Sequence, residues 1–201
     1  MFLQVLDYLG VAIFAVTGGI VASRKQLDFV AFLFFATLTG IGGGTLRDLL
    51  LGVPVFWVEN ETYLLVCLVV SIVVWFFADR IEQLSKPLRW ADAIGISAYC
   101  VMGAAKALAV GDTVLVAILM GVSTATFGGV LRDTLAREPS SIVKAEIYVS
   151  AAFAGAGCYV VLVRLGVPDL AAAVVSATLA LVLRGGAIQQ GWTLPGYTRK
   201  N

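Results

Sequence analysis

Residues 40–48, GIGGGTLRD, and residues 124–133, TATFGGVLRD, repeat one pattern: a glycine cluster followed by an arginine–aspartate pair. Each closes an apolar run long enough to cross a membrane. Glycine is poorly tolerated inside helices and ionised side chains inside a bilayer, so a chain that builds both twice has few folds open to it. Sliding the sequence by 85 residues aligns its halves without a gap. Asp7 falls on Asp92, Gly10 on Gly95, Gly18 on Gly103 and Ala22 on Ala107. Thr39 falls on Thr124, Gly43 and Gly44 on Gly128 and Gly129, and Leu46-Arg47-Asp48 on Leu131-Arg132-Asp133. Pro54, Glu61 and Tyr63 fall on Pro139, Glu146 and Tyr148. Residues 7–80 hold 16 identities in 74 positions, concentrated where backbone geometry or charge limits the choice of residue.

Composition turns the repeat into a membrane fold. Of 201 residues, 60% are hydrophobic and 13% charged, well outside the range of soluble domains. A spanning helix needs about 20 apolar residues, and seven runs qualify: 5–23, 28–51, 61–78, 91–110, 113–135, 146–164 and 168–184. The runs are continuous rather than alternating, which excludes transmembrane strands. The expected fold is therefore an all-α membrane protein of seven transmembrane helices. Residues 1–185 form one domain, with repeat one at 5–80, repeat two at 90–165, the seventh helix at 168–184 and a tail at 186–201. Three helices per repeat is an odd number, so the second copy enters the membrane from the opposite side, the inverted-topology arrangement. The first run lacks a basic flank and has an internal counterpart, so it reads as a mature helix and not a signal peptide. The linker 79–90, DRIEQLSKPLRW, reads as a polar connection and the tail as irregular.

Charge orients the bundle. Arg24, Lys25, Arg80, Lys86, Arg89, Arg132, Arg137, Lys144, Arg184, Arg199 and Lys200 fall on one side, against Arg47, Lys106 and Arg164 on the other. Under the positive-inside rule the N-terminus lies outside and the C-terminus in the cytoplasm of a bacterial or archaeal cell.

The glycines admit two readings. A helix broken at Gly42-Gly43-Gly44 and at Gly128-Gly129 would free carbonyls to coordinate a cation, with Thr39 and Thr124 adding hydroxyl oxygens one turn earlier. Gly40 and Gly44 also spell G-x-x-x-G, a motif for close helix packing. The charges likewise divide. Arg47 and Arg132 either pair with Asp7 and Asp92, in competition with Asp48 and Asp133, or snorkel to the interface. Lys106, about 21 Å along its helix from Asp92 at 1.5 Å per residue, has Val21 as its counterpart and breaks the symmetry. It is a candidate for direction-dependent behaviour.

Other chemistries find no support. There is no His, the three cysteines (Cys67, Cys100 and Cys158) lack metal-ligand spacing, and no nucleophile motif or basic–aromatic stretch is present. No enzyme, cofactor or nucleic-acid partner is expected.

Two tandem three-helix units, each with a glycine cluster followed by LRD, plus a seventh helix, resemble the prokaryotic trimeric intracellular cation (TRIC) channels. The same module is known as a glycine-transporter domain and as an uncharacterised bacterial inner-membrane family. The resemblance spans about 5–185. It implies a homotrimer in membrane lipid, with a pore for K⁺, and Na⁺ as the second candidate, through each protomer. It also implies that Gly42, Gly43, Gly44, Gly128 and Gly129 break the pore helices, although Phe127 stands where Gly42 would recur. A secondary carrier for glycine or another small amino acid is the alternative, because inverted repeats with broken helices also build midplane substrate sites.

Overall fold

The computed structural model describes residues 2–138 and 147–194, with side chains from residue 7 onward except that of residue 85. Eight helices are found among them: α1 (Phe2–Arg24), α2 (Phe29–Leu50), α3 (Phe56–Glu59), α4 (Thr62–Gln83), α5 (Ser85–Val110), α6 (Val114–Leu135), α7 (Val149–Arg164) and α8 (Asp169–Gln190). Six of these, all but α3 and α7, are long and apolar enough to cross a membrane. The run expected at 146–164 appears as α7, of 16 residues, preceded by residues outside the description. The short α3 was not anticipated.

The helix ends show the repeat in the backbone. After α2, Gly52 takes the left-handed conformation (φ 65°), and 85 residues on Arg137 does the same (φ 53°). The same bonds surround both: Gly52 N–H donates to Leu49 O and Val53 N–H to Asp48 O, as Arg137 N–H does to Thr134 O and Glu138 N–H to Asp133 O. After α1 and α5 the equivalent pair is Gln26 (φ 53°) and Gly111 (φ 96°). Asp28 caps α2 by accepting from the Ala31 N–H at 2.9 Å.

Helices α1, α2 and α4 pack together as one unit and α5, α6 and α7 as another, with α8 against α5 and α7. The units meet chiefly through α2 and α6. Small residues let them approach. A methyl on Gly18 would overlap the Phe35 carbonyl oxygen, and one on Gly103 would stand 2.7 Å from that of Met120. Gly10 lies under the Tyr99 ring and Gly95 under that of Phe14, again counterparts. The bundle has two polar ends. At one, Asp7, Arg47, Asp48 and Tyr63 gather; at the other, Arg24 pairs with Glu82 at 2.6 Å and Lys25 with Glu138 at 3.8 Å.

Two boundaries differ from expectation. Residues 79–90 are helical except at Leu84, because Glu, Gln, Lys and Arg favour helix and the Arg24–Glu82 pair holds the end of α4 against α1. A local kink at Phe77 (φ −124°, ψ 15°) precedes that end. Helix α8 runs through Gly185 and Gly186 to Gln190, where an irregular tail was expected. These glycines serve packing: the ring of Trp90 covers Gly185 and that of Trp192 covers Gly186.

Candidate functional site

Where α2 crosses α6, each repeat lends the other a glycine and a threonine. A methyl on Gly43 would overlap the Thr124 carbonyl oxygen, and one on Gly128 would overlap that of Thr39. The two contacts are counterparts of each other. The threonine hydroxyls bond back into their own helices, Thr39 Oγ1 to Phe35 O at 2.7 Å and Thr124 Oγ1 to Met120 O at 2.6 Å. The expected helix breaks are absent: α2 and α6 are α-helical throughout residues 29–50 and 114–135. The physical reason is packing. Glycines that bring two helices into backbone contact gain dispersion energy that an interrupted helix would forfeit, while the intrahelical hydrogen bonds stay made.

Beside the crossing lies a cavity of about 340 Å³. Thr39, Gly43, Gly44, Thr124, Gly128 and Gly129 line it, together with Asp7, Arg47 and Lys106. Gly42 does not join them. It faces an apolar groove on the other side of the crossing, with Phe34, Leu38, Phe127 and Leu131.

The ion pairs also differ from expectation. Arg47 turns to its own neighbour, donating from Nε to Asp48 Oδ1 at 2.8 Å, and does not meet Asp7. Successive residues point apart on a helix, yet the arginine stem is long enough to fold back. Lys106 Nζ reaches the same Asp48 oxygen at 2.8 Å, and the Phe56 N–H donates to Asp48 Oδ2 at 3.0 Å. A fully buried carboxylate is thus held by two cations and an amide, as its burial requires. Snorkelling is excluded for Arg47, which is 7% exposed. Asp7 accepts instead from the hydroxyls of Tyr63 and Tyr99. At the opposite end Arg132 bonds Asp133 Oδ1 through Nε and Nη2, at 2.9 and 2.7 Å, and Thr17 Oγ1 through Nη1 at 2.8 Å. Asp92 is within electrostatic reach of Tyr148, the counterpart of Tyr63.

Most of the sequence-derived candidates therefore meet at one cavity, while Asp92, Arg132 and Asp133 form a separate cluster beyond its far end. Tyr99, Phe56 and Met102 also line the cavity and were not singled out from sequence. The alignment offered a signal for Tyr99, which matches the aromatic Phe14, but none for Phe56. Among the described residues no three His, Cys, Asp or Glu side chains gather as a metal site.

Comparison with known proteins places this geometry among relatives. The sequence profile of a family described as Glycine transporter matches twice, at residues 4–79 and 89–164, two copies whose starts lie 85 residues apart. A UPF0126 membrane protein of Vibrio cholerae is 35% identical over 97% of this chain and 82% of its own. The structure of a TRIC trimeric intracellular cation channel orthologue from Rhodobacter sphaeroides is 44% identical and superposes with a TM-score of 0.87, covering 94% of this chain and 98% of that one. A second structure, described in work on conductance through TRIC cation channels, is 32% identical with a TM-score of 0.93 over the full length of both chains.

Proposed function

This chain belongs to the prokaryotic TRIC channel family, and on that premise we propose that it is a cation channel that passes K⁺ through a pore within each protomer of a homotrimer. The observation that carries the reading is the cavity at the α2–α6 crossing, lined from both repeats by hydroxyls and by one carboxylate. Its volume has room for roughly ten waters at about 30 Å³ each, so a cation can keep part of its hydration shell there. With α2 and α6 unbroken, the oxygen-bearing side chains that line such a path are those of Thr39, Thr124 and Asp7, and no carbonyls are freed by a helix break. The Thr hydroxyl protons point into helix carbonyls, which leaves oxygen lone pairs for the ion.

The rest of the reading follows the same line. Seven spans, with α7 as the short one, fit an inverted pair of repeats: α1 starts at the Asp7 end, while α5 starts at the other and delivers Lys106 to Asp48. The charge bias supports an outer N-terminus and a cytoplasmic C-terminus in the bacterial inner membrane. One observation favours a second reading, a carrier for glycine: among the described residues, the lining of the cavity includes neither Asp92 nor Arg132, as for a substrate site with one access path.

Purified protein in planar bilayers, tested with K⁺, Na⁺ and glycine in parallel, separates the two. Unitary current steps with a cation-selective reversal potential support the channel. Saturable glycine uptake without steps would replace it with the carrier.

A further inference from the structure

Asp7 is the carboxylate that lines the cavity, and two phenols hold it. Tyr63 donates to Oδ2 and Tyr99 to Oδ1, the latter at 2.9 Å, so each oxygen receives one hydroxyl. The Tyr99 hydroxyl also lies 2.9 Å from the Asp7 carbonyl oxygen. Among the described residues the two cations of the lining, Arg47 and Lys106, both bond Asp48. Packing fixes the phenols in place. Tyr63 lies against Tyr8 and Phe56, each ring centre 4.7 Å from its own. Gly10 leaves the space that Tyr99 fills, since a Cβ there would stand 2.6 Å from the hydroxyl oxygen.

The two repeats differ here by one oxygen atom. Tyr63 recurs as Tyr148, but the counterpart of Tyr99 is Phe14, which takes the same place over Gly95 and has no hydroxyl. The extra hydroxyl is supplied across the repeat boundary, from α5 to the acid on α1 that lines the cavity.

We propose that Tyr63 and Tyr99 are specificity-determining residues: by donating to both oxygens of Asp7 they make it a weak-field site, which prefers K⁺ to Na⁺. An ion leaving water gives up hydration, and Na⁺, the smaller ion, gives up more. A bare carboxylate attracts strongly enough at close range to offset that cost, and so favours the smaller ion. A phenolic O–H sets its positive end against the carboxylate oxygen and engages its lone pairs. The attraction left for the ion is smaller, and the more weakly hydrated K⁺ gains by the difference. The hydroxyls of Thr39 and Thr124, neutral oxygens in the same lining, act in the same sense. The inference rests on the reading of this cavity as the cation path.

Reversal potentials under bi-ionic conditions, with the purified protein in planar bilayers, give the permeability ratio of K⁺ to Na⁺. Tyr99→Phe is expected to lower that ratio by roughly twofold or more, a small share of what a hydrogen bond to a charged group contributes. The substitution copies Phe14, which shows that the ring keeps its seat over a glycine without the hydroxyl. Tyr63→Phe is expected to shift the ratio in the same direction, and the two together further than either alone. In an Asp7→Asn background the same substitutions leave the ratio where it stands, because the carboxylate they act through is gone. Where a variant conducts too little to record, competing uptake of radiolabelled Rb⁺ and Na⁺ into proteoliposomes gives the ratio instead. A ratio that stays level or rises in both single variants, or that falls equally with and without the Asp7 carboxylate, overturns the proposal. Parent protein that passes no cation overturns the reading of the cavity, and the proposal with it.

Discussion

Gly43 of α2 and Thr124 of α6 touch backbone to backbone, with no room for a methyl group between them, and Gly128 and Thr39 repeat the contact about the centre of the crossing. This pair of contacts joins the two halves of the molecule and forms one wall of its central cavity. Alanine would favour helix by about 1 kcal/mol at either glycine. The overlap it creates with a backbone carbonyl costs more, in the range of about 1–3 kcal/mol for overpacking. Gly43→Ala and Gly128→Ala should therefore lower the thermal midpoint in detergent. Gly42→Ala should not, because a Cβ placed there would find its nearest neighbours at an ordinary 3.7 Å. Equal stability of Gly43→Ala and Gly42→Ala would contradict the contact.

The Asp48 cluster predicts unequal losses. Asp48→Asn leaves Arg47 and Lys106 without their shared carboxylate and should cost about 3–5 kcal/mol, the usual penalty for orphaning a buried charge. Lys106→Met should cost less, because Arg47 and the Phe56 N–H still hold Asp48. The double variant should lose less than the sum, which a double-mutant cycle on unfolding in detergent measures. Strict additivity would mean that the 2.8 Å Lys106–Asp48 pair contributes nothing.

Asp7 supplies the carboxylate of the cavity mouth. If the cavity carries cations, Asp7→Asn should lower unitary K⁺ conductance by roughly two- to tenfold at low salt, with less effect at high salt, as expected for a charge that concentrates ions. Tyr99→Phe keeps the charge and should change conductance less. Bilayer recording at two ionic strengths checks both, and a salt-independent loss in Asp7→Asn would point to misfolding rather than to the field of the carboxylate.

The helix ends give a prediction free of side-chain contacts. Gly52 has nothing within 4 Å of where a Cβ would stand, so Gly52→Ala tests only its left-handed backbone, at a cost of about 1 kcal/mol. Arg137 already bears that cost at the equivalent position (φ 53°), so Arg137→Gly should be neutral or mildly stabilising. Paired thermal shifts of opposite or unequal sign fit the reading, whereas equal losses would not.

The division between sequence and tertiary structure falls along physical lines. Apolar run length and the 85-residue register are local or periodic properties, and from them the all-α membrane fold and the repeat could be read directly. The clustering of Thr39, Gly43, Thr124 and Gly128 also followed, because symmetry-related small residues mark the places where helices meet. What could not be read was how each group resolves its competition. Whether glycines interrupt a helix or pack it depends on the backbone that faces them, and here Thr39 and Thr124 of the opposite helix decide for packing. Arg47 had three acceptors or interfaces within reach in sequence terms. Only the placement of Lys106 and the Phe56 amide around Asp48 makes the neighbouring carboxylate its partner. The same holds for Arg132, which bonds its neighbour Asp133 and also Thr17, an acceptor that only folding brings to it across 115 positions of chain.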